Sequence, residues 1–160
     1  MATPADIAKQ FREIYLDGKW VIGTNLKAEL ENTTWQDANK TVGKHNSIAA
    51  LTFHLNYYLA GVQKVLDGGS LDIRDTYSFD MEVLDSHEKW NDLRNSIITN
   101  ARNFASSIES IPPKSLKDNF VDPKYGTLER NLQVIIEHGY YHFGQIVMIR
   151  KILQSQDTVT

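Results

Sequence analysis

Three histidines carry the chemistry that this sequence can offer. His138 and His142 stand four residues apart in the segment IIEHGYYHFGQIV, and His54 sits in the earlier segment LTFHLNYYL. On a helix, residues four apart hold their Cβ atoms about 5–6 Å from one another. Two imidazoles at that spacing can converge on one ion with bonds of about 2.0–2.1 Å. Gly139 and His142 fall where the apolar period of the segment calls for Leu or Ile, so a polar pocket is set into an apolar seam, with Gly139 leaving space beside the rings. His54 follows Leu51 by three residues and precedes Tyr58 by four, at the edge of a second seam, which makes it the third candidate ligand. Three neutral imidazoles with an open position turn a divalent cation into a Lewis acid or lower the pKa of its water toward ~7. For each histidine the competing reading is a hydrogen-bonded core residue, since a stacked pair repels when charged and needs partners when neutral.

The chain has no cysteine, which excludes thiol nucleophiles, disulfides and thiolate metal sites and leaves only nitrogen and oxygen ligands for any metal. The position after His138 is Gly139, not the Glu of a zincin, so a thermolysin-like mechanism is not expected. Tyr57, three residues after His54, is the first choice for a phenol that hydrogen-bonds substrate or a bound water. Otherwise Tyr57, Tyr58, Tyr140 and Tyr141 read as packing. Asn56 and Gln145 could orient ligand imidazoles from behind, with a solvated or interface role as the equal alternative. His45 and His87 read as exposed, and Trp20, Trp35 and Trp90 as packed.

The elements that must position these residues are helical. Thr3, Pro4 and Asp6 form a capping box for a helix with Ile7, Phe11 and Ile14 on its apolar face. Gly18 is expected to bend that helix, and Val21, Ile22, Leu26 and Leu30 to carry it on to about Glu31. Thr34 to Asp37 caps one short turn. Ser47 caps a second helix over 48–66, with Ile48, Leu51, Leu55, Tyr58, Val62 and Val65 along its seam and Gly68-Gly69 ending it. Asp85 and Glu88 are expected to box a third helix, which Pro112-Pro113 stops. The last helix, 128–153, carries the histidine pair. These features predict one all-α domain over 1–160, a four-helix bundle with two long connections.

Seventeen Lys and Arg against twenty Asp and Glu give a net charge of −3 without a basic stripe, which disfavours nucleic acid. The N-terminus lacks a secretory pattern, and the uncharged stretch 45–63 is too polar for a bilayer, so a cytoplasmic, membrane-free protein is expected.

The segment GTLERNLQVIIEHGYYHFGQIVMIRKIL resembles the last helix of the DinB-like (YfiT-like) superfamily, through His138, His142, Gly144, Gln145 and Ile146. SIAALTFHLNYYLAGV resembles the second helix of that family, with His54 at its first histidine, and DIRDTYSFDMEVLDSHEKW resembles its link into the third. The resemblance implies a four-helix bundle holding one divalent metal on His54, His138 and His142, zinc or nickel first, with manganese or iron as alternatives. It also implies a small-molecule substrate, a transferase or isomerase that uses a low-molecular-weight thiol, or a hydrolase, and a homodimer. Phe143 stands where many members carry Arg, which puts in doubt any grip on an anionic substrate. A non-catalytic metal- or ligand-binding bundle and a purely structural dimerising bundle are the alternatives.

Overall fold

A computed structural model describes residues 2–20 and 23–157. Among them the regular structure is helical apart from one isolated bridge between Asn119 and Thr127. Helix α1 (Pro4–Tyr15) starts as expected: the Asp6 N–H donates to Thr3 Oγ1 at 3.2 Å and the Thr3 N–H to the Asp6 carboxylate at 2.9 Å. It does not bend and continue to Glu31. The chain folds back so tightly after Tyr15 that a Cβ on Gly18 would lie 2.3 Å from the Glu13 Cα, a separation only glycine permits. Asn25 then caps a separate helix, α2 (Leu26–Glu31), accepting from the Ala28 N–H at 2.9 Å and donating to the Gly18 carbonyl at 3.1 Å. Leu26 and Leu30 are buried as expected, whereas Val21 and Ile22 lie outside the described residues. The short turn after Thr34 is α3 (Trp35–Asn39).

Helix α4 (Ile48–Leu66) matches its predicted bounds, with Ser47 Oγ accepting from the Ala50 N–H and Gly68 leaving the helix at φ +87°. Helix α5 (His87–Glu109) has a different cap from the expected box. Ser86, in extended conformation, accepts from the Lys89 N–H at 3.2 Å, while Asp85 pairs with the Lys89 ammonium one turn on. Helix α6 (Leu128–Asp157) is the longest, and Thr127 Oγ1 accepts from its Arg130 N–H.

The four long helices pack in the cycle α1–α5–α4–α6, each against two others. Phe11, Leu55, Phe104, Leu132 and Ile146 meet in one buried core. The two short helices, of which α2 was unforeseen as a separate element, close one side of it. Glu29 of α2 pairs with Arg150 of α6, and the Trp90 indole N–H of α5 donates to the Thr33 carbonyl at 2.9 Å. Trp90 is therefore packed as expected and Trp35 partly so, but Trp20 is 89% exposed, contrary to expectation. No described helix is long and apolar enough to cross a membrane.

Gly139 of α6 is needed for packing. A Cβ there would lie 2.7 Å from the Tyr15 ring and 2.8 Å from its hydroxyl, and the ring is buried and stacked on Phe11. Mid-helix Gly→Ala ordinarily gains about 1 kcal/mol. Here overpacking of about 1–3 kcal/mol reverses the sign. Gly139→Ala is expected to lower stability by about 1 kcal/mol net, read as a lower urea midpoint at unchanged m-value.

Candidate metal centre

Helix α4 presents His54 and helix α6 presents His138 and His142 to the same point. One ligating nitrogen from each ring lies within 4.8 Å of the others. His54 Nε2 and His138 Nε2 are 3.1 Å apart, and the three ring centroids are separated by 4.6 to 5.0 Å. Ligand bonds of about 2.0–2.1 Å in tetrahedral directions place two donor nitrogens roughly 3.3 Å apart, so the His54–His138 spacing suits one ion, and the three-nitrogen donor set suits a divalent metal. His54 and His142 are buried and His138 half-buried.

Two of the rings have their tautomers set by carbonyl oxygens, which only accept. The His54 Nδ1–H donates to the Ser78 carbonyl at 3.3 Å, and the His142 Nδ1–H donates to Gln145 Oε1 at 2.7 Å. Each neutral ring therefore offers its Nε2 lone pair toward the centre. His138 Nε2–H then donates to His54 Nε2, and an ion placed between them requires His138 to carry its proton on Nδ1. Burial holds all three imidazoles below the usual histidine range. His138 is lowered to about 4, first by desolvation and then by its two neighbours. His54 is lowered by desolvation and by His142; His142 is lowered by desolvation, against the Gln145 hydrogen bond. All three are thus neutral near pH 7, the state that ligates. Gln145→Ala frees the His142 ring while leaving every nitrogen donor in place. It is expected to weaken zinc affinity about 10–100-fold, measured by competition with a chromophoric chelator.

The connection between α4 and α5 closes over the site. Phe79 lies flat on His54, 4.1 Å between centroids and 14° between planes, and Tyr58 sets its edge against both His54 and His138. The Tyr58 O–H donates to the Asp75 carboxylate, and burial, followed by that bond, pushes its pKa up to about 12. The expectation for Tyr57 is corrected here. Its hydroxyl accepts from the Arg74 N–H at 2.9 Å and donates to the Arg74 carbonyl at 3.1 Å, so it pins the connection and is spent on backbone. Tyr58, one residue on, is the phenol beside the rings. Asn56 takes the interface role, its amide bonding Ser96 and Asn100 of α5, whereas Gln145 bonds an imidazole from behind. The room at Gly139 serves Tyr15 and not the imidazoles. Phe143 is 1% exposed in the core, so an arginine here would be buried. His45 and His87 are exposed, as expected.

Ser78 and Phe79 were not legible as site residues. A backbone carbonyl leaves no mark in residue type, and Phe79 stands in a segment without period. Comparison of the chain with protein-family models, with curated proteins and with solved structures found no match in any of the three.

Proposed function

We propose that this chain is a DinB-like four-helix bundle whose His54, His138 and His142 hold one divalent metal, at a site that acts on a small molecule. The single observation that supports the reading is the convergence of three neutral imidazoles from two helices within 4.8 Å. Zinc or nickel suits such nitrogen donors first; manganese and iron are the alternatives. When bound, the ion supplies Lewis-acid polarisation to an oxygen or sulfur beside it. The chain's own residues do the rest. Ser78 and Gln145 hold two rings in the ligating tautomer, burial keeps protons off them, and Phe79 excludes water from one side. With no cysteine in the chain, the nucleophile for a transfer or isomerisation is a separate low-molecular-weight thiol, and for a hydrolysis it is water. The setting that goes with this reading is a cytoplasmic homodimer without nucleic-acid or membrane partners.

One observation favours a second reading, a closed metal site without catalysis. Phe79 and Tyr58 cover two of the three rings. Cobalt-loaded protein separates the two, because a visible spectrum that moves on adding glutathione reports an exchangeable position, and an unmoved one favours the closed site. The metal itself is tested by elemental analysis of untagged protein after incubation with zinc, nickel or manganese and desalting. One ion per chain is expected, falling to none in His138→Ala. Wild type without stoichiometric metal overturns the proposal.

A further inference from the structure

The three glycines within the long helices are of two kinds. Gly61 in α4 gives room to Ile73, whose Cγ1 would lie 2.4 Å from an added Cβ, and Gly139 gives room to Tyr15. Gly144 in α6 gives room to nothing: a Cβ there meets no atom within 4 Å. Glycine in mid-helix costs about 1 kcal/mol against alanine. Gly144 is exposed, and its open space lies on the wall of a concavity, where a side chain would project into it.

That room belongs to a hollow of about 520 Å³ between α4, α6 and the connection that precedes α4. Leu51, Met148, Ile149 and Ile152 make it apolar, and Asn46 and Gln145 are among its polar groups. No lysine, arginine or acidic side chain lines it. Its volume is that of a small-molecule pocket, a mostly apolar concavity with few polar groups to fix orientation. Gln145 also holds His142, and Tyr141, on the same wall, sets its edge against the His142 ring at 4.8 Å. The hollow therefore ends where the histidine site begins.

We propose that this hollow binds an uncharged molecule with an aromatic or alkyl body and one polar end, the body over Gly144 and Met148 and the polar end at Gln145. The purpose of that binding, delivery of a substrate to the histidines, rests on the function proposed above; the binding itself does not. Apart from the exposed imidazole of His45 at its rim, no side chain here offers a charged ligand a counter-charge, and desolvating that charge over the apolar wall would go largely uncompensated. Gly144 also supplies a variant that fills the hollow without touching the core.

The test uses N-phenyl-1-naphthylamine, a neutral diaryl amine that fluoresces in apolar surroundings, titrated into chelator-treated full-length protein. Wild type and Gly144→Ala are expected to bind it, and Gly144→Phe and Met148→Glu to weaken binding at least tenfold. Far-ultraviolet circular dichroism and a cooperative urea transition should be retained in all three variants, which shows that they fold. Equal affinity in wild type and Gly144→Phe, or no binding by wild type, overturns the proposal. So does a wild-type dimer in sedimentation that Gly144→Phe dissociates, since a second copy would then be the occupant. Because the probe is read without metal, failure of the hollow and failure of the metal site are seen separately.

Discussion

Zinc at a thousandfold excess over its dissociation constant is expected to raise the unfolding free energy by about 4 kcal/mol. In a chain of this size that is a rise of roughly 8–16 °C in melting temperature. The size of the effect follows from where the ligands lie. His54 and His138 are separated by 84 residues of sequence yet lie 3.1 Å apart through their Nε2 atoms, so the unfolded chain cannot offer the same donor set. Two rings are also held in the ligating tautomer by Ser78 and Gln145, so little ordering remains to oppose binding. Calorimetry of chelator-treated protein, with and without excess zinc, measures the shift. His142→Ala removes one donor from the centre and should lose most of it. An equal rise in that variant would assign the stabilisation to other groups, such as the exposed His45 and His87, and would sink the assignment.

What could be read before the fold was known depended on whether side-chain type or chain geometry carried the information. Helices α4 and α6 were legible because long apolar periods are local properties, and for α4 Ser47 caps where its type allows. The break after Tyr15 was less so. Its cause is the close return of Gly18 onto Glu13, a contact that helical periodicity does not encode, and Asn25 is the one local sign of a new start. The same division runs through the site. His138 and His142 are local neighbours, and their partnership follows from helical spacing alone. His54 joins them only because α4 and α6 pack together in the observed register. Choosing between Tyr57 and Tyr58 was beyond sequence: the two rings point in different directions around α4, and the backbone of Arg74 takes one hydroxyl while Asp75 takes the other. Gly139 and Gly144 look alike in sequence, each next to a candidate ligand or its support. Only three-dimensional packing shows that Tyr15 occupies the space at one and nothing occupies the space at the other.

Acid should destabilise the metal-free protein through the same burial that prepares its histidines for a metal. His138 has a folded-state pKa of about 4 against an ordinary value of 6.5, because desolvation and the two neighbouring rings disfavour its charged form. Between those values the unfolded chain binds the proton and the folded one does not. Stability is therefore full above about pH 6.5, falls as pH drops toward 4, and stays lost below it. The 2.5-unit difference corresponds to about 3.4 kcal/mol at full strength. With the ring half-exposed, solvent screening leaves on the order of 2 kcal/mol. His54 and His142 are shifted in the same direction by their own burial and add to the loss. Urea unfolding of chelator-treated wild type and His138→Gln, each at pH 7 and pH 4.5, isolates the contribution, since the carboxylates are common to both proteins. Wild type is expected to lose on the order of 2 kcal/mol more than the variant. Equal losses would mean that His138 titrates normally and that burial does not hold the cluster neutral. Zinc does not change the sign. The metal-free folded protein already holds its rings neutral below pH 6.5, and the proton taken up by the unfolded chain weighs equally on the metal-free and the zinc-loaded forms. The zinc-dependent rise in melting temperature should therefore persist through the interval in which the metal-free protein weakens, and shrink only as pH approaches the lowered folded-state values.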